Sequence, residues 1–252
     1  MQRPILGLSD LTEAEVIAAY QVEDRAMPHL RSNFVTSLDG AVEIDGKSKA
    51  LSGPSDQEVF GKLRMLSDVV LVGAGTVRIE GYRPLRLTAA RRAWRVEHGL
   101  AENPTLAIVS SRLDLDPKAP FLAEAPVRPI VFTHPASPVE ARSALEAVAD
   151  VVVCGQAGVD LHAVVNTLVE RGLPQILTEG GPHLQGALTE ADLIDEMCLS
   201  IAPILAGPGS GRITAGPTAT GTRSYVLRSV LAGDDGFLFF RYLRSDGAGV
   251  EA

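Results

Sequence analysis

Cysteine is scarce in this chain. Only Cys154 and Cys198 occur among 252 residues, in separate apolar stretches, which excludes a disulfide scaffold and points to buried, reduced thiols. Long apolar runs are missing too: the cleanest, Val69 to Val72, is bounded by Asp68 and Gly73, far short of the roughly 20 residues that cross a bilayer. Met1-Gln2-Arg3-Pro4 puts no charged head before an apolar run, so no secretory signal is expected, and the cytoplasm is the expected location. Basic charge is not in excess. A net charge of −8 argues against nucleic acid as a partner, and any small anionic ligand then needs a local cluster of donors. The histidines, at 29, 98, 134, 162 and 183, form no HxxxH or HExxH pattern, so no metal is expected. Neither a Gly-x-Ser-x-Gly elbow nor a redox cysteine pair exists. Gly207-Pro208-Gly209-Ser210-Gly211-Arg212 lacks the Gly-Lys-Ser/Thr ending of a phosphate loop and reads as a flexible connection.

What remains is ordinary globular usage, 46% hydrophobic and 21% charged, which excludes a disordered, collagenous or coiled-coil chain. Thr12-x-x-Glu15 fits a capping box with Leu11 and Val16 as a hydrophobic staple, predicting a helix near 12–20 within an N-terminal extension, residues 1–27. The run Leu30 to Ser37 is strand-like and ends at Asp39-Gly40, a turn signal. Ser55 and Glu58 suggest a second capping box for a helix burying Val59, Leu63 and Leu66 and ending near Ser67. Asp68 to Val72 is a continuous β-branched run, as in a strand buried on both faces of a parallel sheet. Further strands are expected at Thr105 to Val109, Val127 to Phe132, Val151 to Cys154 and Gln175 to Leu177. Between them, Pro138 is placed to open one helix, and Asp160 the next, which Gly172 and Pro174 end. Ile194 to Leu205 reads as a long strand, and Tyr225 to Leu231 with Phe237 to Leu243 as a hairpin around Gly233 to Gly236. The pattern predicts one α/β domain, residues 28–252, with about eight or nine strands, mostly parallel, and an antiparallel C-terminal edge. No internal repeat divides it.

Two glycine turns stand directly after strands. Gly73-Ala74-Gly75-Thr76-Val77-Arg78 lets backbone N–H groups approach a phosphate, with a helix expected to start near Thr76. Arg78 occupies the place of the third glycine of a dinucleotide fingerprint. Thr178-Glu179-Gly180-Gly181-Pro182-His183-Leu184 repeats the arrangement, and its paired glycines permit unusual backbone angles or close approach of a ligand. Either segment also reads as a plain strand-to-helix turn, and Glu179 either as a cap or as a ligand-facing carboxylate.

In order and spacing, several motifs resemble the reductase domain of bacterial riboflavin biosynthesis, a pyrimidine reductase family, and more distantly dihydrofolate reductase. They are Ser37-Leu38-Asp39-Gly40, Leu63-Arg64, Asp68 to Arg78, Asn103-Pro104, Glu179 to Leu184, Asp195-Glu196 and Ile201 to Gly207. The resemblance runs from about 28 to 243. It implies a dihydrofolate-reductase-like three-layer α/β fold, a homodimer, and NADPH bound across the carboxyl ends of the strands. It places Gly73, Gly75, Thr76, Glu80, Glu179, Gly180, Gly181, Pro182, His183 and Leu184 beside the pyrophosphate and nicotinamide. Ser110, Ser111 and Arg112 then suit a 2′-phosphate, with Gly155 and Gln156 on the adenine side. On the substrate side it puts Asn33, Leu51, Ser52, Asp56, Phe60, Arg83 and Arg86, while Arg91 is a further candidate for a 5′-phosphate. Asp56, Asp39 and Glu179 are the candidate catalytic carboxylates.

Asp56-x-x-x-Phe60 resembles the dihydrofolate reductase pattern whose carboxylate accepts two hydrogen bonds from an amino-pyrimidine edge. An aspartate in a first helical turn also simply complements the helix dipole, and Asp39 also reads as a turn residue. The chain departs from the riboflavin family in having Ala41 where a Lys is usual, Lys49-Ala50-Leu51 where an aromatic is common, and Glu80 for Asp. The deaminase half, with its His-x-Glu and Pro-Cys-x-x-Cys, is absent from this sequence. The expected function is hydride transfer from NADPH to a small pyrimidine or pteridine, of the 5-amino-6-(5-phosphoribosylamino)uracil type or dihydrofolate. The alternative is a non-catalytic NADPH-binding relative that has lost the Lys.

Overall fold

The computed structural model describes residues 5–217 and 221–245. Met1 to Pro4, read above for a leader, and both outer ends of the expected domain bounds lie outside the described residues. In chain order the elements are β1 (Leu6–Gly7), α1 (Glu13–Tyr20), β2 (His29–Thr36), α2 (Pro54–Leu66), β3 (Val69–Gly73), α3 (Ala74–Ile79), α4 (Ala89–Glu97), β4 (Thr105–Val109) and α5 (Pro120–Ala123). They continue with β5 (Ile130–Thr133), α6 (Val139–Glu146), β6 (Asp150–Val153), α7 (Leu161–Glu170), β7 (Gln175–Thr178), α8 (Pro182–Glu190), β8 (Glu196–Ile201), β9 (Tyr225–Ala232) and β10 (Leu238–Arg244).

All the strands join one 10-stranded sheet in the order β1-β9-β10-β8-β2-β7-β3-β4-β5-β6. From β8 to β6 every pairing is parallel, and β10 pairs antiparallel with both β8 and β9. The expected mostly parallel sheet with an antiparallel C-terminal edge is therefore what the chain builds. Its extra strand is the two-residue β1, which pairs with β9 and is too short to leave a periodic signal.

Alternation along the strands feeds two cores. Val70, Val72, Leu106, Ile108 and Val131 pack with α1, α2 and α6, whereas Val69, Leu71, Ala107, Ile130 and Phe132 pack with α7 and α8. The result is three layers. The described part of the N-terminal segment packs onto the same core through Val16, Ile17 and Tyr20 of α1. Its capping box forms as expected, with the Thr12 side chain accepting from the Glu15 N–H and Glu15 bonding back to the Thr12 N–H. Asp160 caps α7 by accepting from the His162 and Ala163 N–H groups, and both cysteines are free and buried.

Several expected boundaries shift. Gly53, not Ser55, is the N-cap of α2, with Pro54 in its first turn, and Ser55 instead bonds Asp235 at the hairpin tip. Glu58 pairs with Lys62 and Arg91. Pro138 is an N-cap residue rather than the first residue of α6, and α3 starts at Ala74 ahead of Thr76. The long strand expected to Leu205 stops at Ile201, because Pro203 has no N–H to continue a ladder. Helix α4, absent from the sequence pattern, is capped by the Thr88 side chain.

Candidate active site

Strands β3 and β7 are parallel neighbours, so the two glycine turns that follow them meet at one edge of the sheet. The Gly73 N–H donates to the Gly180 carbonyl at 2.7 Å, and the Glu179 N–H to Leu71 at 3.1 Å. The Gly180–Gly181 peptide is cis and Gly180 has φ +79°. A Cβ at Gly180 would lie 2.5 Å from the Phe34 ring, and one at Gly181 would lie 2.6 Å from Thr76 Oγ1. Both positions therefore need glycine: the first for its backbone angle and close packing, the second because the α3 turn sits against it.

In front of these turns opens a cavity of about 360 Å³, lined from β2 by Asn33 and Phe34, from the 43–52 loop by Lys49 and Ser52, from α2 by Asp56, Phe60 and Arg64, and from the turns by Thr76, Glu80, Tyr82, Glu179, Gly181 and Pro182. Asp56, Phe60 and Arg64 fall one helical turn apart, so one stripe of α2 faces the opening. A groove of about 530 Å³ lies elsewhere, between the 8–16 segment and the hairpin tip, and no glycine-turn residue lines it.

Asp56 is 6% exposed. Its carboxylate accepts from the Ser52 hydroxyl at 2.6 Å. Burial pushes its acidity toward weaker values, with Ser52 and Ser200 opposing and Asp235 reinforcing the shift. Glu179 is held by three contacts: Arg64 Nε at 2.7 Å, Arg64 Nη2 at 2.6 Å and the Tyr82 hydroxyl at 2.5 Å. The Arg64 guanidinium also lies 4.2 Å above the Phe60 ring centroid. Burial, reinforced by the Glu179 charge, raises the Tyr82 hydroxyl well above its ordinary value, so it stays a donor.

The expected site residues divide into three groups. Asn33, Ser52, Asp56, Phe60, Thr76, Glu80, Glu179, Gly181 and Pro182 meet at the cavity. Ser110, Ser111 and Arg112 follow β4, and Gly155 and Gln156 follow β6, so they flank β5 further along the same edge. The rest are placed otherwise. Asp39 clamps a turn, accepting from the Ser37 hydroxyl and the Ala206 and Gly207 N–H groups, which hold its carboxyl down to about 2. It does not line the cavity. Leu51 is fully buried, and Leu184 packs into the α7–α8 core as the inward face of α8. Arg83 and Arg86 are exposed and off the cavity, and Arg91 pairs with Glu58 at 2.8 Å. Glu80 lines the cavity and also accepts from the Ser48 N–H at 2.9 Å, pinning the 48–51 turn. Ser110 Oγ accepts from the Leu113 N–H, a turn contact.

Phe34, Lys49, Tyr82 and Ser200 carry no sequence signal of a site. Arg64 does: it continues the four-residue spacing of Asp56 and Phe60.

The family described as the RibD C-terminal domain matches residues 28–238. The chain belongs to that family. Among relatives of this RibD-type chain, a 2,5-diamino-6-ribosylamino-4(3H)-pyrimidinone 5′-phosphate reductase of Archaeoglobus fulgidus is 30% identical over 181 residues, 71% of this chain and 82% of the relative. The enzyme of the same description from Methanothermobacter thermautotrophicus is 30% identical over 186 residues, 73% of this chain and 82% of the relative. A pyrimidine reductase-like protein of Corynebacterium diphtheriae superposes with a TM-score of 0.80 at 26% identity, covering 86% of this chain and 92% of that one. This RibD-type chain is an oxidoreductase, and the cavity at the glycine turns is its candidate active site.

Proposed function

We propose that this protein is an NADPH-dependent reductase acting on a small molecule with a 2-amino-4-oxopyrimidine edge, either a ribosylaminopyrimidinone 5′-phosphate or a dihydropterin. The observation that carries the reading is Asp56, a buried carboxylate on the wall of a cavity that opens beside two close-packed glycine turns. A carboxylate is a two-oxygen acceptor, matched to the adjacent N–H donors that such a ring presents and a uracil-type ring lacks at its 2-position. Ser52 orients it by donating to one oxygen.

The residues at the strand ends suit a dinucleotide. Among the described residues, Thr133 Oγ1, His134 Nδ1 and Ser137 Oγ are buried without a hydrogen-bond partner at the end of β5, between Ser110–Arg112 and Gly155–Gln156. Buried polar groups of this kind call for a water or a ligand group. At Gly75 nothing lies within 4 Å of where a Cβ would be, which leaves open backbone for a close approach. When bound, NADPH supplies the hydride. Phe34 and Phe60 line the cavity with apolar surface and exclude water from the reacting face. The Arg64–Glu179–Tyr82 cluster holds the shape of the wall between them.

Other parts of the reading concern partners. Along β8, Met197, Leu199 and Ile201 are half-buried and alternate with buried Glu196, Cys198 and Ser200. Their register partners Tyr242, Phe240 and Leu238 share this apolar, half-covered face. We assign it to a second copy of the chain, to be checked by light scattering on the purified protein. Charge argues for no nucleic-acid partner. Among the described residues no helix is long and apolar enough to cross a membrane, and the proposed compartment is the cytoplasm.

The test is NADPH oxidation followed by nicotinamide absorbance, with the ribosylaminopyrimidinone phosphate and dihydrofolate offered separately and NADH as control. Turnover of either with NADPH supports the reading and selects the substrate. NADPH binding without turnover of either would overturn it in favour of a non-catalytic binding protein.

A further inference from the structure

We infer that the groove between the 8–16 segment, α2 and the tip of the β9–β10 hairpin is a binding site for a small organic cation, an ammonium or guanidinium group carried on an apolar body. The site lies apart from the cavity at the glycine turns, and it stands or falls independently of the reductase reading.

Helix α2 lines two openings. Asp56, Phe60 and Arg64 face the cavity at the glycine turns, whereas Ser55, Glu58, Val59 and Lys62 line the groove. The second set has the i, i+3, i+4, i+7 spacing of one helical stripe, and at about 100° per residue that stripe points away from the first. The facing wall is Leu8, Ser9, Leu11, Glu13 and Val16, all ahead of residue 28, where the family match begins. The groove is therefore made by this chain's N-terminal segment against the shared domain, and not by the shared domain alone. Its volume of about 530 Å³ falls within the roughly 300–1,000 Å³ of small-molecule sites.

The lining has an apolar part and an acidic part. Val16 and Val59 are buried, and Leu8 and Leu11 are half-buried, so apolar surface remains for an occupant to cover. Around it stand four carboxylates, Glu13, Glu58, Asp234 and Asp235. The single cation among the described lining residues, Lys62, is 4% exposed and already bonded to Glu13 and Glu58, and Glu58 pairs with Arg91 as well. Asp234 and Asp235 have no cation within reach among the described residues. Asp234 accepts from the Ser9 hydroxyl at 2.9 Å, and Asp235 from the Ser55 N–H at 3.1 Å and the Ser55 hydroxyl. Burial opposes ionisation of Asp235, yet the Ser55 bonds hold its carboxyl below the ordinary range, so it stays charged. Neutral donors leave both negative charges in place, and two adjacent carboxylates repel each other until a cation approaches. An anion is repelled by this rim, and an uncharged apolar molecule leaves it without a counter-charge. A cation on an apolar body meets both parts of the lining.

The experiment is calorimetry on the full chain with n-butylammonium, n-hexylammonium, hexan-1-ol and hexanoate as probes. The wild type is expected to bind hexylammonium about tenfold more tightly than hexanol, the lower end of a charge-assisted hydrogen bond. Butylammonium should bind more weakly than hexylammonium, by up to about fourfold for each methylene, and hexanoate not at all. Asp234→Asn is expected to reduce the preference for the cation and Asp234→Lys to abolish it, while added salt weakens it in the wild type. Leu8→Ser should shrink the gain from chain length and keep the preference for charge. Asp234 is exposed, so its variants are expected to melt with the wild type, and Asp56→Ala is expected to bind hexylammonium unchanged. Binding lost in D56A but kept in D234K would put the cation in the cavity at the glycine turns and overturn the groove site. Equal affinity for hexylammonium and hexanol, or no binding of any probe, overturns it too. Should light scattering show that D234K changes the number of subunits while the wild type binds no probe, the groove belongs to a second copy of the chain instead.

Discussion

Glu196 and Glu179 are both buried carboxylates bonded to arginine, two arginines for the first and one for the second; one lies at the start of β8 and the other just past the end of β7, and their surroundings differ in a way that separates scaffold from site. The Glu196 side chain is 0% exposed, gripped by Arg31 at 2.6 Å, Arg241 at 2.9 Å and His29 at 3.0 Å. Both arginines also donate to carbonyls at the end of α1: Arg31 to Tyr20, and Arg241 to Ala19 and Gln21. Two cations against one carboxylate leave a positive excess, and the negative end of the α1 dipole offsets it. The carboxylate of this cluster is fully enclosed. The Glu179 cluster has the same chemistry but one open side, where Arg64, 23% exposed, and Tyr82 face the cavity. A sealed ion cluster ties β2, β8, β10 and α1 together. An open one shapes a wall that a ligand can touch.

Glu196→Ala has the strongest expected consequence. It strands two buried arginines, and a loss of about 3–5 kcal/mol in denaturant unfolding is expected. Its acid dependence follows from the carboxyl being held well below its ordinary range, despite burial, by Arg31, His29 and Arg241. The stabilisation is present above the unfolded-state value and is lost as pH falls through the folded one. Glu196→Gln should remove that acid limb, a result read from stability measured across the acid range.

Next is Glu179→Gln. Loosening the wall is expected to reduce the reductase rate on the order of 100-fold, with a smaller share of its effect in stability than at Glu196. Equal destabilisation of the two variants with unchanged turnover would erase the distinction between sealed and open clusters. Asp56→Ala should weaken ring binding by about 1.5–3 kcal/mol, read as a raised KM. Because burial raises the Asp56 carboxyl, ring binding is expected to weaken as pH falls into the range where that group takes a proton, and the D56A variant should lose this dependence. Smallest is Thr12→Ala, which removes the α1 cap and should cost about 1 kcal/mol without changing turnover. A change in turnover there would show that α1 reaches the site.

Much of the scaffold was legible because its signals are local. Strand β4 has the bounds its sequence suggests, and Thr12 and Asp160 cap the helices they precede, since capping and periodicity act within a few residues. The site was legible in part. Both glycine turns are visible in the sequence, as is Asp56 ahead of Phe60, whereas Arg83 and Arg86 lie off the cavity and Asp39 takes its alternative place in a turn. The α2 cap illustrates the cause. Its local candidate, Ser55, is passed over because Asp235, 180 residues away, reaches the helix start, and no local pattern encodes that approach.

The layered α/β pattern, the two glycine turns and the ordered motifs that mark the family follow from local signals, because hydrophobic period, turn chemistry and motif order are written along the chain. Tertiary structure decided which charges meet. It set Arg64 on Glu179 across 115 residues, Phe34 against Gly180 and Lys49 at the cavity rim. Those contacts depend on which strands become neighbours in the sheet, and strand order is a property of the whole packed chain rather than of any segment in it.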